Sequence, residues 1–249
     1  MYKEDQLKDF IELKINEYHE NILIKIAELQ LNDVLKRKNP YLFKNKGITS
    51  SADLINPILS AYLSSQEEGM FGGVLEQIAI FICFKKFGGT KSSSTGIDLE
   101  FEAEGTKYLV AIKSGKNWSN AGSKARLLEN FRTAKKILGT NTNKQRVVAV
   151  IGICYGTDRN PDKGEYMNLC GQQFWQFISG EDDLYKKIIV PLNQTQQQKD
   201  KFDIEYTKVV DTFIAIFQKD YCNDLGEIEW DKLLEFNSSA RPDWRRMHI

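Results

Sequence analysis

Gly96-Ile97-Asp98-Leu99-Glu100-Phe101-Glu102, then Ala103-Glu104-Gly105-Thr106-Lys107, then Tyr108-Leu109-Val110-Ala111-Ile112-Lys113-Ser114-Gly115, is the stretch that decides how this chain is read. Polarity alternates in the first segment, the last is an apolar run, and Glu-Gly between them is a tight-turn signal. The pattern predicts two antiparallel strands, with the start of the first lying beside the end of the second. Asp98 opens one strand and Lys113 closes the other, so an acid and a lysine meet at one edge of a sheet. A carboxylate there suits a divalent metal and a lysine suits an anion. Those are the groups that metal-dependent cleavage of a phosphodiester needs.

Upstream, Leu7, Phe10, Ile11, Ile15, Tyr18, Ile22, Ile26 and Leu29 recur at helical spacing. They predict a long helix over 3–35, or a pair broken near His19. Asn39-Pro40-Tyr41-Leu42-Phe43 reads as a turn, and Ser50-Ser51-Ala52-Asp53 as a helix start. Gly69-Met70-Phe71-Gly72-Gly73 punctuates the chain before an apolar helix predicted over 74–87, which carries Glu76 on the face of Ala79, Ile80 and Cys83. Downstream, a polar loop with Trp118 leads to a basic amphipathic helix predicted over 123–138. A buried strand over 147–155, a turn-rich loop over 156–164 and a helix or packed segment that begins with 174–178 and ends at Gly180 follow. Phe202, Tyr206, Val209, Val210, Phe213 and Phe217 mark a C-terminal helix. Strands interleaved with helices give an α/β class. With no repeat and no long linker, residues 1–249 are expected to form a single domain. It comprises a helical part over 1–70, an α/β core over 71–190, and a helical part with a loose basic tail over 191–249.

Lys plus Arg and Asp plus Glu number 34 each, so no net charge draws the molecule to nucleic acid. The balance is uneven locally. Between Lys113 and Lys163 eleven basic residues face only Glu129, Asp158 and Asp162, an arrangement suited to a DNA partner. Cys83, Cys154, Cys170 and Cys222 are widely separated, and the histidines are His19 and His248 alone. That excludes zinc-finger spacing and a disulfide framework. The charged opening Met1-Tyr2-Lys3-Glu4-Asp5 leads into no apolar signal region, and no run approaches membrane-spanning length. A soluble, cytoplasmic protein without a membrane partner is expected.

An Asp on one strand and a Lys ending the next form the core of the PD-(D/E)xK nuclease pattern. In that pattern Asp98 gives a carboxylate oxygen to Mg²⁺, which lowers the pKa of its water and polarises the phosphate. Lys113 orients or deprotonates the attacking water, or neutralises charge building on the phosphate oxygens. The backbone carbonyl of Ile112 is a further candidate ligand. Alternate strand residues share a face, so the second acid belongs two positions before the lysine. That position is Ala111. Glu76 is the preferred substitute, because a carboxylate in an apolar helix needs a partner. Glu100, on the strand face of Asp98, and Glu102 are the alternates. Each feature also has an ordinary reading: Asp98 as a strand-start residue, Lys113 as a surface lysine, Glu76 as a helix-start acid favoured by the dipole, and the basic helix as a solvated face.

Asn39–Phe43, Phe71–Glu76, Lys91–Glu102, Tyr108–Gly115, Asn117-Trp118, Cys154–Gly156, Pro161–Gly164, Leu169–Gln172 and Phe174–Gly180 form an ordered series of blocks. Through them, over nearly its whole length, the sequence resembles the PmeII-like family of type II restriction endonucleases. The resemblance implies a restriction-endonuclease-like core, a central mixed sheet flanked by helices, with helical additions at both ends. It implies Mg²⁺-dependent hydrolysis of double-stranded DNA at a short specific sequence, action as a homodimer, and a companion DNA methyltransferase that protects host DNA. Asp98 and Lys113 look like the family's metal and lysine positions, and a small residue such as Ala111 in place of the usual acid looks tolerated there.

A two-fold dimer matches a palindromic or interrupted-palindromic site. The candidates for DNA contact are Lys116, Asn117, Ser119 and Asn120 in the loop, with Lys124, Arg126 and Arg132 on the helix after it. They read bases in the major groove or fix register on phosphates. Two other functions stand on the same residues: a non-catalytic DNA-binding module that lost its second acid at Ala111, and a structure-selective repair nuclease.

Overall fold

Glu104 and Gly105 both adopt left-handed backbone, with φ of 50° and 72°, and turn β2 (Leu99–Ala103) back onto β3 (Thr106–Lys113). Two consecutive left-handed residues make the turn whose twist matches a hairpin, and glycine takes the second position without steric cost. Leu99 lies opposite Val110 and Ala103 opposite Thr106 in the antiparallel ladder. The computed structural model describes residues 4–139 and 146–239. In it, β1 (Thr90–Lys91) pairs antiparallel with β2, while β4 (Arg146–Ile153) and β5 (Met167–Cys170) run parallel to β3 and to each other. The sheet is mixed, in the order β1-β2-β3-β4-β5. Parallel neighbours need a crossover, and between β3 and β4 the chain passes through helix α5 (Ala121–Gly139). The expected α/β class, a mixed sheet flanked by helices, is what the chain adopts.

Contacts divide the chain into two compact units. The first joins the residues up to Tyr18 with Gly69–Asn193. It takes in the first part of α1 (Glu4–Ala27), the last part of α4 (Ser51–Phe87), the sheet, α5, α6 (Gln172–Ser179) and α7 (Leu184–Lys187). One sheet face, through Leu99, Phe101, Val110, Ile112 and Val150, packs with Ile11 of α1, Ile78 and Ile82 of α4, and Phe174 and Ile178 of α6. The other, through Leu109, Ala111, Ala149, Ile151 and Ile153, packs with Leu127, Phe131 and Ala134 of α5. Burial of each large side chain here contributes about 1.5–3 kcal/mol, and strand alternation divides them between the faces. Gly152 is what lets α6 lie close: a Cβ there would stand 2.2 Å from Cε2 of Phe174. The helical part expected over 1–70 therefore divides, because Leu7, Ile11 and Ile15 belong to the sheet's own core.

The second unit holds His19–Glu68 and the residues from Gln194, with α2 (Leu31–Leu35), α3 (Pro40–Asn45), α8 (Gln196–Tyr221) and α9 (Trp230–Ser238). Asn237 of α9 donates through Nδ2 to the carbonyls of Leu35 and Lys38 at 2.9 and 3.2 Å. Thr195 and Gln198 form a reciprocal capping box that starts α8.

Several local expectations are corrected. The first helix breaks after Ala27 rather than near His19. Asn39–Phe43 is not a turn but the start of α3, with Asn39 accepting from the Leu42 N–H at 3.3 Å and Pro40 in the first turn. The helix expected over 74–87 begins at Ser51, where Ser50 accepts from the Asp53 N–H at 3.1 Å, and Gly69–Gly73 does not interrupt it. Each helical glycine costs about 1 kcal/mol relative to alanine, yet at Gly72 the missing side chain has a use. A Cβ there would sit 3.3 Å from Cβ of Ser114. The short elements β1, β5, α7 and α9 are absent from the sequence reading. Lys144 and the tail from Arg241, which includes His248, lie outside the described residues.

Candidate active site

The hairpin register, continued one step past Leu99–Val110, sets Asp98 opposite Ala111. The Asp98 N–H donates to the Val110 carbonyl at 2.9 Å, so the ladder holds the acid's backbone. Its carboxylate turns back onto β3. Oδ2 accepts from the Ile112 N–H at 2.6 Å and lies 3.4 Å from Nζ of Lys113. Both side chains are largely sheltered, at 21% and 26% exposure. The acid and the lysine that the sequence sets at one sheet edge thus form a single charge-assisted pair.

Glu76 reaches the same place from α4. It lies one turn beyond Gly72, the residue whose bare Cα faces Ser114, and residues four apart share a helix face. Burial raises the Glu76 pKa above its ordinary value, and the Asp98 charge raises it further, while Lys91 and Lys113 pull the other way. Two carboxylates that repel and two lysines that attract make one electrostatic cluster. Cys154 adjoins the cluster. Its N–H donates to the Lys113 carbonyl at 2.8 Å, and burial pushes its thiol up to about 12, with the Glu76 charge adding to the rise. Glu100 and Glu102, the alternates for the second acid, both lie against Lys107, at 3.7 and 3.9 Å. Ala111 is fully buried against the α5 face.

The residues named for DNA contact separate into groups. Lys116, Ser119 and Lys124 line a cleft of about 280 Å³ with Trp118. Asn117 and Arg126 are exposed. Asn120 caps α5, accepting from the Ser123 N–H at 2.9 Å. Arg132 is taken up by acids, at 3.2 Å from Glu129 and 2.8 Å from Glu165. The cleft also brings in Asp158, Lys163, Tyr166 and Asn168, which the sequence reading does not single out as site residues. The only signal there is the Pro161–Gly164 block. Trp118, in the polar loop before α5, lies with its ring centroid 5.7 Å from Nζ of Lys113.

Among the described residues no three His, Cys, Asp or Glu side chains gather as a ready metal cage. No helix of the described residues is long and apolar enough to cross a membrane. The family model of type II restriction endonuclease EcoO109I matches residues 5–200. The chain belongs to this family. No curated protein matches it. The type II restriction endonuclease match ends within α8 and takes in the whole sheet and every residue of the Asp98 cluster. Membership makes the chain a site-specific deoxyribonuclease, and the substrate its surface receives is DNA.

Proposed function

We propose that the chain cleaves double-stranded DNA at a short specific sequence, using Mg²⁺ at a PD-(D/E)xK-type site built from Asp98, Lys113 and Glu76. The observation that carries this reading is the shared Oδ2 of Asp98, which engages the Ile112 N–H and the Lys113 ammonium together. The donor set fits Mg²⁺. Asp98, Glu76 and the Ile112 carbonyl are hard oxygen donors, and Mg²⁺ takes few protein ligands because it keeps several waters. The mutual repulsion of Asp98 and Glu76 is what a cation between them relieves. Glu76 is favoured over Glu100 and Glu102, since those two share Lys107.

When bound, Mg²⁺ neutralises charge on the phosphate and acidifies its water. The protein's own groups do the rest. Asp98, fixed by the Ile112 N–H, holds its carboxylate at one orientation through the reaction. Lys113, held 3.4 Å from Asp98, places an ammonium beside the phosphate oxygens, where negative charge grows as the bond breaks. Lys116, Ser119 and Lys124, which line one cleft, and the exposed Asn117 and Arg126 contact the DNA. Asn120 and Arg132 act there as a helix cap and as a strut to Glu165. PmeII-like specificity, a homodimer with one cut per protomer, and a companion methyltransferase complete the proposal.

The test is digestion of long unmethylated DNA with Mg²⁺, followed by sequencing of every cut end. Fragments sharing one motif support the reading and give the recognition sequence. Ends that share no motif support a structure-selective nuclease instead. Bound but intact DNA supports a non-catalytic binding module.

A further inference from the structure

We propose that the cleft between the start of α5 and the 156–164 loop is a second anion site, in which Lys116, Lys124 and Lys163 receive one backbone phosphate of the DNA beside the bond to be cut. The proposal rests on the DNA-cleaving reading above and adds a site to it.

The cleft measures about 280 Å³ and lies at the C-terminal end of β4 and the start of β5, lined by Ile153 and Asn168. That volume is ample for a phosphate group. Its charges are the ammoniums of Lys116, Lys124 and Lys163 and the carboxylate of Asp158, so three positive charges less one negative leave a net +2. The carboxylate has its negative charge offset by the Lys163 ammonium, its ion-pair partner. It accepts from Asn168 Nδ2 at 2.7 Å and the Asn160 N–H at 2.9 Å, and pairs with Lys163 at 3.1 Å. These donors hold its pKa down to about 2, so Asp158 stays ionised and fixes Lys163 in place. It is a positioning residue.

Lys116 and Lys124 differ from the other basic residues nearby. Arg132 is bound to two glutamates and Lys135 donates to the Glu165 carbonyl. Among the described residues, neither Lys116 nor Lys124 has a carboxylate within ion-pair distance. Lys124 instead rests over the ring of Tyr166, 5.7 Å from its centroid, which steadies the ammonium without neutralising it. Two uncompensated lysines and a third held by its own acid make an anion receptacle, and the Ser119 hydroxyl on its wall is a further donor. Trp118 ties the cleft to the cutting site. It lines the cleft, and its ring faces Lys113. A strand whose scissile phosphate lies at Lys113 therefore runs past the cleft within a short span, and a neighbouring phosphate falls to it.

The experiment measures binding of a fluorescent DNA duplex to the full chain, without divalent metal, across a series of salt concentrations. Each phosphate neutralised contributes about 0.9 to the slope of log K against log salt. The variant Lys116→Gln/Lys124→Gln/Lys163→Gln is expected to lose about 0.9 from that slope, while Lys208→Gln, on α8, leaves it unchanged. Lys163→Gln alone, a conservative change on an exposed loop, is the second variant should the triple one fail to fold, and a smaller loss in the same direction supports the site. A wild-type slope retained in both variants overturns the cleft and leaves the nuclease reading standing. An equal loss in Lys208→Gln overturns it too, since the effect would then be one of overall charge. Failure of the wild-type chain to bind or cut DNA even when Mg²⁺ is supplied overturns the nuclease reading itself.

Discussion

Replacing Asp98 separates two tasks that one carboxylate performs. Asp98→Ala removes the acceptor of the Ile112 N–H, and Ile112 is only 4% exposed. A buried donor left unpaired costs about 1–3 kcal/mol. Asp98 itself is 21% exposed, so water recovers part of that, and a loss of about 1–2 kcal/mol in folding stability is expected. Cleavage suffers more. Loss of an anionic metal ligand forfeits about 4 kcal/mol of transition-state stabilisation, and at 1.36 kcal/mol per factor of ten that is about 10³-fold in rate. Asp98→Asn keeps an oxygen for the Ile112 N–H and gives up the charge. It should unfold in urea within about 0.5 kcal/mol of wild type, yet cut no faster than the alanine variant. Urea titrations and single-turnover cleavage with Mg²⁺ read the two quantities independently. An asparagine variant that cuts within tenfold of wild type, or that is destabilised as much as alanine, refutes the division of tasks.

Glu76 carries a pH signature. Its pKa is raised by burial first and by Asp98 second. The folded chain therefore holds this proton more tightly than the unfolded one, and the group costs stability as pH climbs through the unfolded value of 4.5 towards the raised one. Without metal, Glu76→Gln should be more stable than wild type at neutral pH and lose that advantage below pH 4.5; parallel urea midpoints across the range would dismiss the idea. Gly152→Ala should lose about 1–3 kcal/mol by overpacking, because the new methyl meets the fully buried Phe174; an unchanged melting curve would show that α6 is free to move. Arg132→Gln should weaken DNA binding less than Lys124→Gln, since Arg132 is engaged by Glu129 and Glu165. The reverse order in a binding titration would mean that those acids release it.

What could be read from sequence was what local rules govern. The hairpin follows from a Glu-Gly turn between segments of matched length, and its register alone carries Asp98 to Lys113. The basic helix shows its period plainly, and the buried strand after it shows as an unbroken apolar run. What escaped depends on contacts far along the chain. Gly69–Gly73 looks like punctuation until Ser114 is seen beside Gly72, because the reason for that glycine lies on another element. β5 is four residues long, too short to display a period. In the site, nothing local brings Glu76 near Asp98; only the packing of α4 does that. Lys163 and Asp158 likewise reach Lys116 and Lys124 through a loop whose sequence signals only a turn.

The strand order has a consequence for how the protein comes to be made. Every strand lies next to its predecessor in the chain, so the sheet grows by addition at an edge and never has to open to admit a later arrival. Short closures precede long ones, which keeps the entropic cost of each step low and favours rapid folding. The finished edges are also poor templates for stray pairing, since β1 has only two residues and β5 four. As the chain leaves the ribosome, the hairpin that joins Asp98 to Lys113 can close before α5 is complete, and everything after it assembles onto a platform already formed.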